Sequence, residues 1–149
     1  MSQISVEEMK NAQEAFGELI KTEEERIERM KASEQVKDFS KLIRIKVGIL
    51  PGDGVGPILM EQALRVLKEL VKPEILSGKI ELHNIEGMTI ENRVEKMQSL
   101  PDEVLEEVKK CDVLLKGPMV TPRAGDGLPN LVSANSLLRR NLELFAAVR

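Results

Sequence analysis

The sequence predicts an α/β layer structure built on parallel strands and preceded by a helical arm. Three observations carry that class. From residue 43 onward, short β-branched runs alternate with apolar residues at helical spacing, and Pro or Gly punctuates several of the changes of period. Residues 1–40 also differ in composition: they hold ten acidic and six basic side chains, one Gly and no Pro, against fifteen acidic and sixteen basic in residues 41–149.

The overall counts narrow the chemistry. A chain of 149 residues fits one domain, or one modest domain with an extension. Three Phe with neither Tyr nor Trp require an aliphatic core. One Cys excludes an intramolecular disulfide, and one Cys with one His cannot assemble a zinc cluster. Without Tyr or Trp as the usual stacking platforms, and with a net charge of -3, nucleic acid is not an expected partner. No stretch approaches the roughly 20 apolar residues of a membrane span. The N-terminus opens on polar and acidic residues rather than a basic stretch before an apolar run, so the expected address is the cytoplasm.

Residues 1–41 form the arm. Ser5 with Glu8 reads as a capping box, and Val6, Met9, Phe16, Leu19, Ile20, Ile27 and Met30 recur at helical spacing, as one long helix or two shorter ones. Glu23 falls in the row of Met9, Phe16 and Met30, which argues against a coiled coil and for an arm lying across its own domain or a subunit partner.

Residues 42–149 form the α/β segment. Ile43, Ile45, Val47, Ile49 and Leu50 make the first strand. The turn Pro51-Gly52-Asp53-Gly54-Val55-Gly56-Pro57 follows, then a helix through Ile58, Leu64, Leu67 and Leu70. Pro57 suits its first turn and Pro73 stops it after Val71. A second strand is expected over residues 79–85. Thr89 caps a helix over residues 90–97, and Ser99 caps another with Pro101 in its first turn. Cys111-Asp112-Val113-Leu114-Leu115 reads as a buried strand ending at Lys116-Gly117-Pro118. A loop over residues 119–132, a helix over 133–141 and a final strand over 144–148 complete the pattern.

Two places could carry chemistry. The glycine-rich turn lies between a strand and a helix, where backbone N–H groups can receive an anionic or polar ligand. Its G-x-G-x-G spacing is neither the dinucleotide fingerprint nor a P-loop, so a structural turn and a ligand loop both remain open. Near the other end, Ser133, Asn135, Arg139, Arg140 and Arg149 gather hydroxyl, amide and guanidinium donors suited to carboxylates. The plainer alternative there is a Ser cap followed by solvated arginines. His83 is assigned no role, and Cys111 reads as a small core residue.

These motifs, with Thr121-Pro122 and Ser133-x-Asn135-x-x-x-Arg139 through Leu142-Glu143-Leu144-Phe145-Ala146-Ala147-Val148-Arg149, resemble the isocitrate/isopropylmalate dehydrogenase family, on the isocitrate side. The likeness covers about residues 43–149 and leaves the arm without a counterpart. It implies the N-terminal part of the family's large domain, hence an incomplete parallel-sheet layer. It also implies an enzyme that uses NAD or NADP with Mg2+ or Mn2+ to oxidise and decarboxylate a 3-carboxy-2-hydroxy acid such as isocitrate. Partners implied are that small acid and a protein partner or second subunit completing the site. By position, the resemblance assigns Ser133, Asn135, Arg139 and Arg149 to the substrate, and Leu50, Gly52, Asp53, Gly54 and Thr121 to the cofactor border. The Ser-x-Asn pair favours a carboxylate over an isopropyl group, against which it would be left unpaired.

Two departures qualify the likeness. The loop between Thr121 and Ser133 is longer than in bacterial isocitrate enzymes, with Arg123-Ala124-Gly125-Asp126-Gly127 inserted. The family's catalytic Tyr, partner Lys and metal aspartates have no match here, so this chain carries no catalytic or metal residue by resemblance. The expectation is the N-terminal part or subunit of a split or truncated dehydrogenase, with a non-catalytic tricarboxylate-binding or regulatory module, or an inactive fragment, as alternatives.

Overall fold

The computed structural model describes residues 5–32, 37–123 and 125–144, and the chain divides into two units, residues 1–40 and 41–149. In the first, a single helix α1 spans Val6–Ala32. Its start is the expected capping box: the Ser5 N–H donates to Glu8 Oε2 at 2.7 Å and the Glu8 N–H to Ser5 Oγ at 3.1 Å. Those bonds hold the Glu8 carboxyl below its ordinary value. Glu7 and Glu8 in the first turn, with Arg29 and Lys31 in the last, match the helix dipole. None of its side chains is buried.

The second unit begins with strand β1 (Ile45–Leu50), then helices α2 (Gly56–Leu70) and α3 (Lys72–Leu76) and strand β2 (Ile80–Asn84). Helices α4 (Ile90–Glu95) and α5 (Asp102–Lys109), strand β3 (Val113–Lys116) and helix α6 (Ala134–Asn141) follow. The three strands are parallel in the order β2-β1-β3, with Val47 opposite both Leu82 and Val113. Each parallel neighbour needs a long crossover, which the helices supply.

The core forms where Leu50, Ile85, Met88, Leu100 and Met119 meet Val104 and Val108 of α5 and Ala134 and Leu138 of α6. Both helical pairs have i, i+4 spacing and so share one face. Cys111 packs against this cluster, its thiol pushed up by burial. Between the sheet and α2, Val47, Leu82, Leu115, Leu67 and Leu70 line an apolar cleft of about 600 Å³. His83 bonds Glu107 Oε2 at 3.0 Å.

Several local expectations shift. Pro73 does not only stop a helix, because it also opens the short α3, whose first turn has no use for its missing N–H. Ser99 does not cap α5: Pro101 occupies the N-cap position without a side-chain bond. Helix α4 ends at Glu95, with Thr89 Oγ1 accepting from the Asn92 N–H as expected. The final strand lies, apart from the irregular Leu144, outside the described residues. No helix among the described residues is long and apolar enough to cross a membrane.

Candidate functional site

Register places Leu50 beside Lys116, so β1 and β3 end side by side and their outgoing loops start in contact. The two loops touch backbone to backbone. A Cβ on Gly52, whose φ is +79°, would fall 2.0 Å from the Pro118 carbonyl oxygen, and one on Gly117 would fall 2.1 Å from that of Pro51. The glycines therefore serve close approach here. The Asp53 N–H donates to Pro118 O at 3.1 Å.

Asp53 and Arg93 clasp these loops. Arg93, fully buried on α4, donates from Nη2 to Asp53 Oδ2 at 2.6 Å and to the Val120 carbonyl at 2.8 Å. The Val120 N–H donates to Asp53 Oδ1. Arg93 Nε and Nη1 meet no acceptor among the described residues. Of the five residues expected at the cofactor border, Leu50, Gly52 and Asp53 are thus buried in the joint, while Gly54 and Thr121 are exposed at its rim.

Beside the outer edge of β3 lies a cavity of about 880 Å³, whose lining includes Asp112, Lys116, Asn135, Leu138, Arg139 and Leu142. Helix α6 brings Asn135 and Arg139 together through i, i+4 spacing, and Arg139 Nε donates to the Asn135 carbonyl at 3.1 Å. Asn135 Oδ1 is buried without a partner among the described residues. Lys116 enters from the end of β3, its Nζ donating to the Gly117 carbonyl at 2.9 Å. Burial, and after it the Arg139 charge, hold the Lys116 ammonium below its ordinary pKa.

The expected substrate residues divide. Asn135 and Arg139 share the cavity. Ser133 holds the N-cap position of α6, but its hydroxyl makes no cap bond and the residue is not part of the lining. Arg140 is exposed, and Arg149 lies outside the described residues. Lys116 and Arg93 are functional-site residues that the fold adds to those expected from the sequence. A signal existed for Lys116, as a cation ending an apolar strand. Arg93 had none, because its partner is 40 positions away. Among the described residues, no three of His, Cys, Asp or Glu converge as a metal site.

Residues 46–149 match the family model described as isocitrate/isopropylmalate dehydrogenase. Among similar proteins, a 3-isopropylmalate dehydrogenase of Candida boidinii is 38% identical over 110 residues, 72% of this chain and 29% of that protein. A homoisocitrate dehydrogenase of Methanocaldococcus jannaschii is 30% identical over 105 residues, 70% of this chain and 28% of that protein. The mitochondrial isocitrate dehydrogenase [NAD] regulatory subunit 2 of Arabidopsis thaliana is 35% identical over 102 residues, 68% of this chain and 23% of that protein. The chain thus spans less than a third of the length of these relatives.

Proposed function

The chain belongs to the isocitrate/isopropylmalate dehydrogenase family, and from that premise we propose that it supplies the substrate-carboxylate part of an NAD(P)-dependent enzyme that oxidatively decarboxylates isocitrate or a related 3-carboxy-2-hydroxy acid. It does so as the N-terminal part or subunit of such an enzyme, in the cytoplasm, with a protein partner or second subunit completing the site. The observation that carries this reading is the convergence of Lys116, Asn135 and Arg139 on one cavity along the outer edge of β3. Two cations and an amide suit a substrate bearing several carboxylates. Ser133, the N-cap of α6 whose hydroxyl makes no cap bond, and Arg149 join the substrate set on the family resemblance.

Gly54 and Thr121, exposed at the loop joint, would border the nicotinamide cofactor, while Leu50, Gly52 and Asp53 fix the joint's shape. Bound NAD(P) supplies the hydride acceptor. The described residues do not fit a divalent ion: Asp53 is engaged by Arg93 and Val120, and no three candidate ligands converge.

Calorimetric titration of the full chain tests the site. Isocitrate binds, and Arg139→Ala weakens it by about 1–3 kcal/mol by removing a charge-assisted bond. Unchanged affinity would sink the assignment. Turnover is tested by adding a polypeptide that carries the rest of such an enzyme, with isocitrate, Mg2+ and NAD(P), and following reduced nicotinamide. A second reading, a non-catalytic tricarboxylate-binding or regulatory module, is favoured by similarity to a protein named as a regulatory subunit. It predicts isocitrate binding with no reduction whatever remainder is added.

A further inference from the structure

We propose that α1 pairs with α1 of a second copy of this chain in antiparallel fashion, about a two-fold axis between Leu19 and Ile20. The inference does not depend on the enzymatic reading. Along α1, Met9, Ala12, Phe16, Leu19, Ile20, Glu23, Ile27 and Met30 fall in one sector about 100° wide at 3.6 residues per turn. The six large apolar members are 45% to 61% exposed, and α1 buries none of its residues. A seam of this length on a 27-residue helix marks an interaction surface.

The seam itself names its occupant. Its intervals read the same in both directions, so reversal about the midpoint of Leu19 and Ile20 maps the seam onto itself. In an antiparallel pair Met9 then meets Met30 of the second copy and Leu19 meets Ile20. Ala12 meets Ile27, small against large, and Phe16 meets Glu23. The second four positions also repeat the first four after 11 residues, a period that keeps the seam nearly straight along the helix.

Orientation follows from charge and volume. A parallel, in-register pair would set Glu23 against Glu23 and leave a gap between two alanines. It would also bring together two N-terminal halves that each hold four acidic residues and one basic over residues 6–19. The antiparallel pair sets that half against residues 20–32, which hold four of each sign. Glu23 is ion-paired on its own helix with Arg26 at 2.9 Å, so its methylenes can cover the Phe16 ring while the carboxylate keeps a cation. One polar residue in such a seam fixes register at some cost in stability. That accommodates the residue which, in the sequence alone, argued against a coiled coil.

Sedimentation equilibrium of the full chain should show a dimer whose dissociation constant rises at least tenfold in Leu19→Glu and falls in Glu23→Leu. In a Cys111→Ala background, a mixture of Met9→Cys and Met30→Cys chains should form a disulfide between the two forms, while Met9→Cys alone should not link to itself. A monomer at every concentration, indifference to Leu19→Glu, or self-linking of Met9→Cys as efficient as the mixed link would overturn the proposal. The cross-link and the sedimentation arm fail independently, so loss of one variant to misfolding leaves the other decisive.

Discussion

At the scale of single residues, Lys116 has a consequence that can be read with pH. Burial and the neighbouring Arg139 disfavour its charge, so its folded pKa lies below that of the unfolded chain. Across the window between the two values the unfolded chain binds more protons, and the unliganded protein gains stability as pH rises. A bound carboxylate reverses the local field and restores the proton. Isocitrate binding should therefore take up protons in that window, and affinity should fall as pH rises through the lowered value. Calorimetry in two buffers of different ionisation enthalpy measures the uptake directly. Lys116→Arg, charged at every accessible pH, should remove it, and an uptake that survives the substitution would assign it elsewhere.

Between elements, the joint of the β1 and β3 loops depends on Asp53 and Arg93. Removing one partner of a buried ion pair leaves the other charge uncompensated, which costs about 3–5 kcal/mol. Urea unfolding of Arg93→Ala should show a loss of that size, and a change below about 1 kcal/mol would mean that Asp53 finds another partner or water. This clasp also has no local signature in the sequence. The strands, α2, α4 and α6 were legible because their periodicity and the Thr89 cap are local signals. The start of α5 is harder to read, because a Ser two residues before a Pro looks like a cap, whereas Pro101 itself takes that position. Arg93 carries no local signal in the sequence, and only the fold brings it to Asp53 and Val120. The glycine-rich turn allowed both a structural and a ligand reading. Its close approach to Gly117 and Pro118 explains the buried glycine at 52, while Gly54 stays exposed.

For the whole molecule, the division into residues 1–40 and 41–149 predicts two stabilities rather than one. Two-state unfolding holds for single cooperative units, and the two units here draw on different sources. The α/β unit rests on its own core around Leu50, Val104 and Leu138, whereas α1 buries nothing of its own and gains from association. Ligand and chain concentration should therefore act on different transitions. Isocitrate at about 100 times its dissociation constant adds about 2.7 kcal/mol to the unit that binds it, an upward shift on the order of 10 °C for a unit of this size. Hydrogen exchange resolved by peptide should show that shift in β1 and α5 while α1 stays where it was. Raising the chain concentration tenfold should do the opposite, protecting the amides of α1 and leaving β1 unchanged. Coincident responses of both regions to either variable would mean that the arm and the α/β unit unfold as one body, and the separate origins argued for their stability would fall.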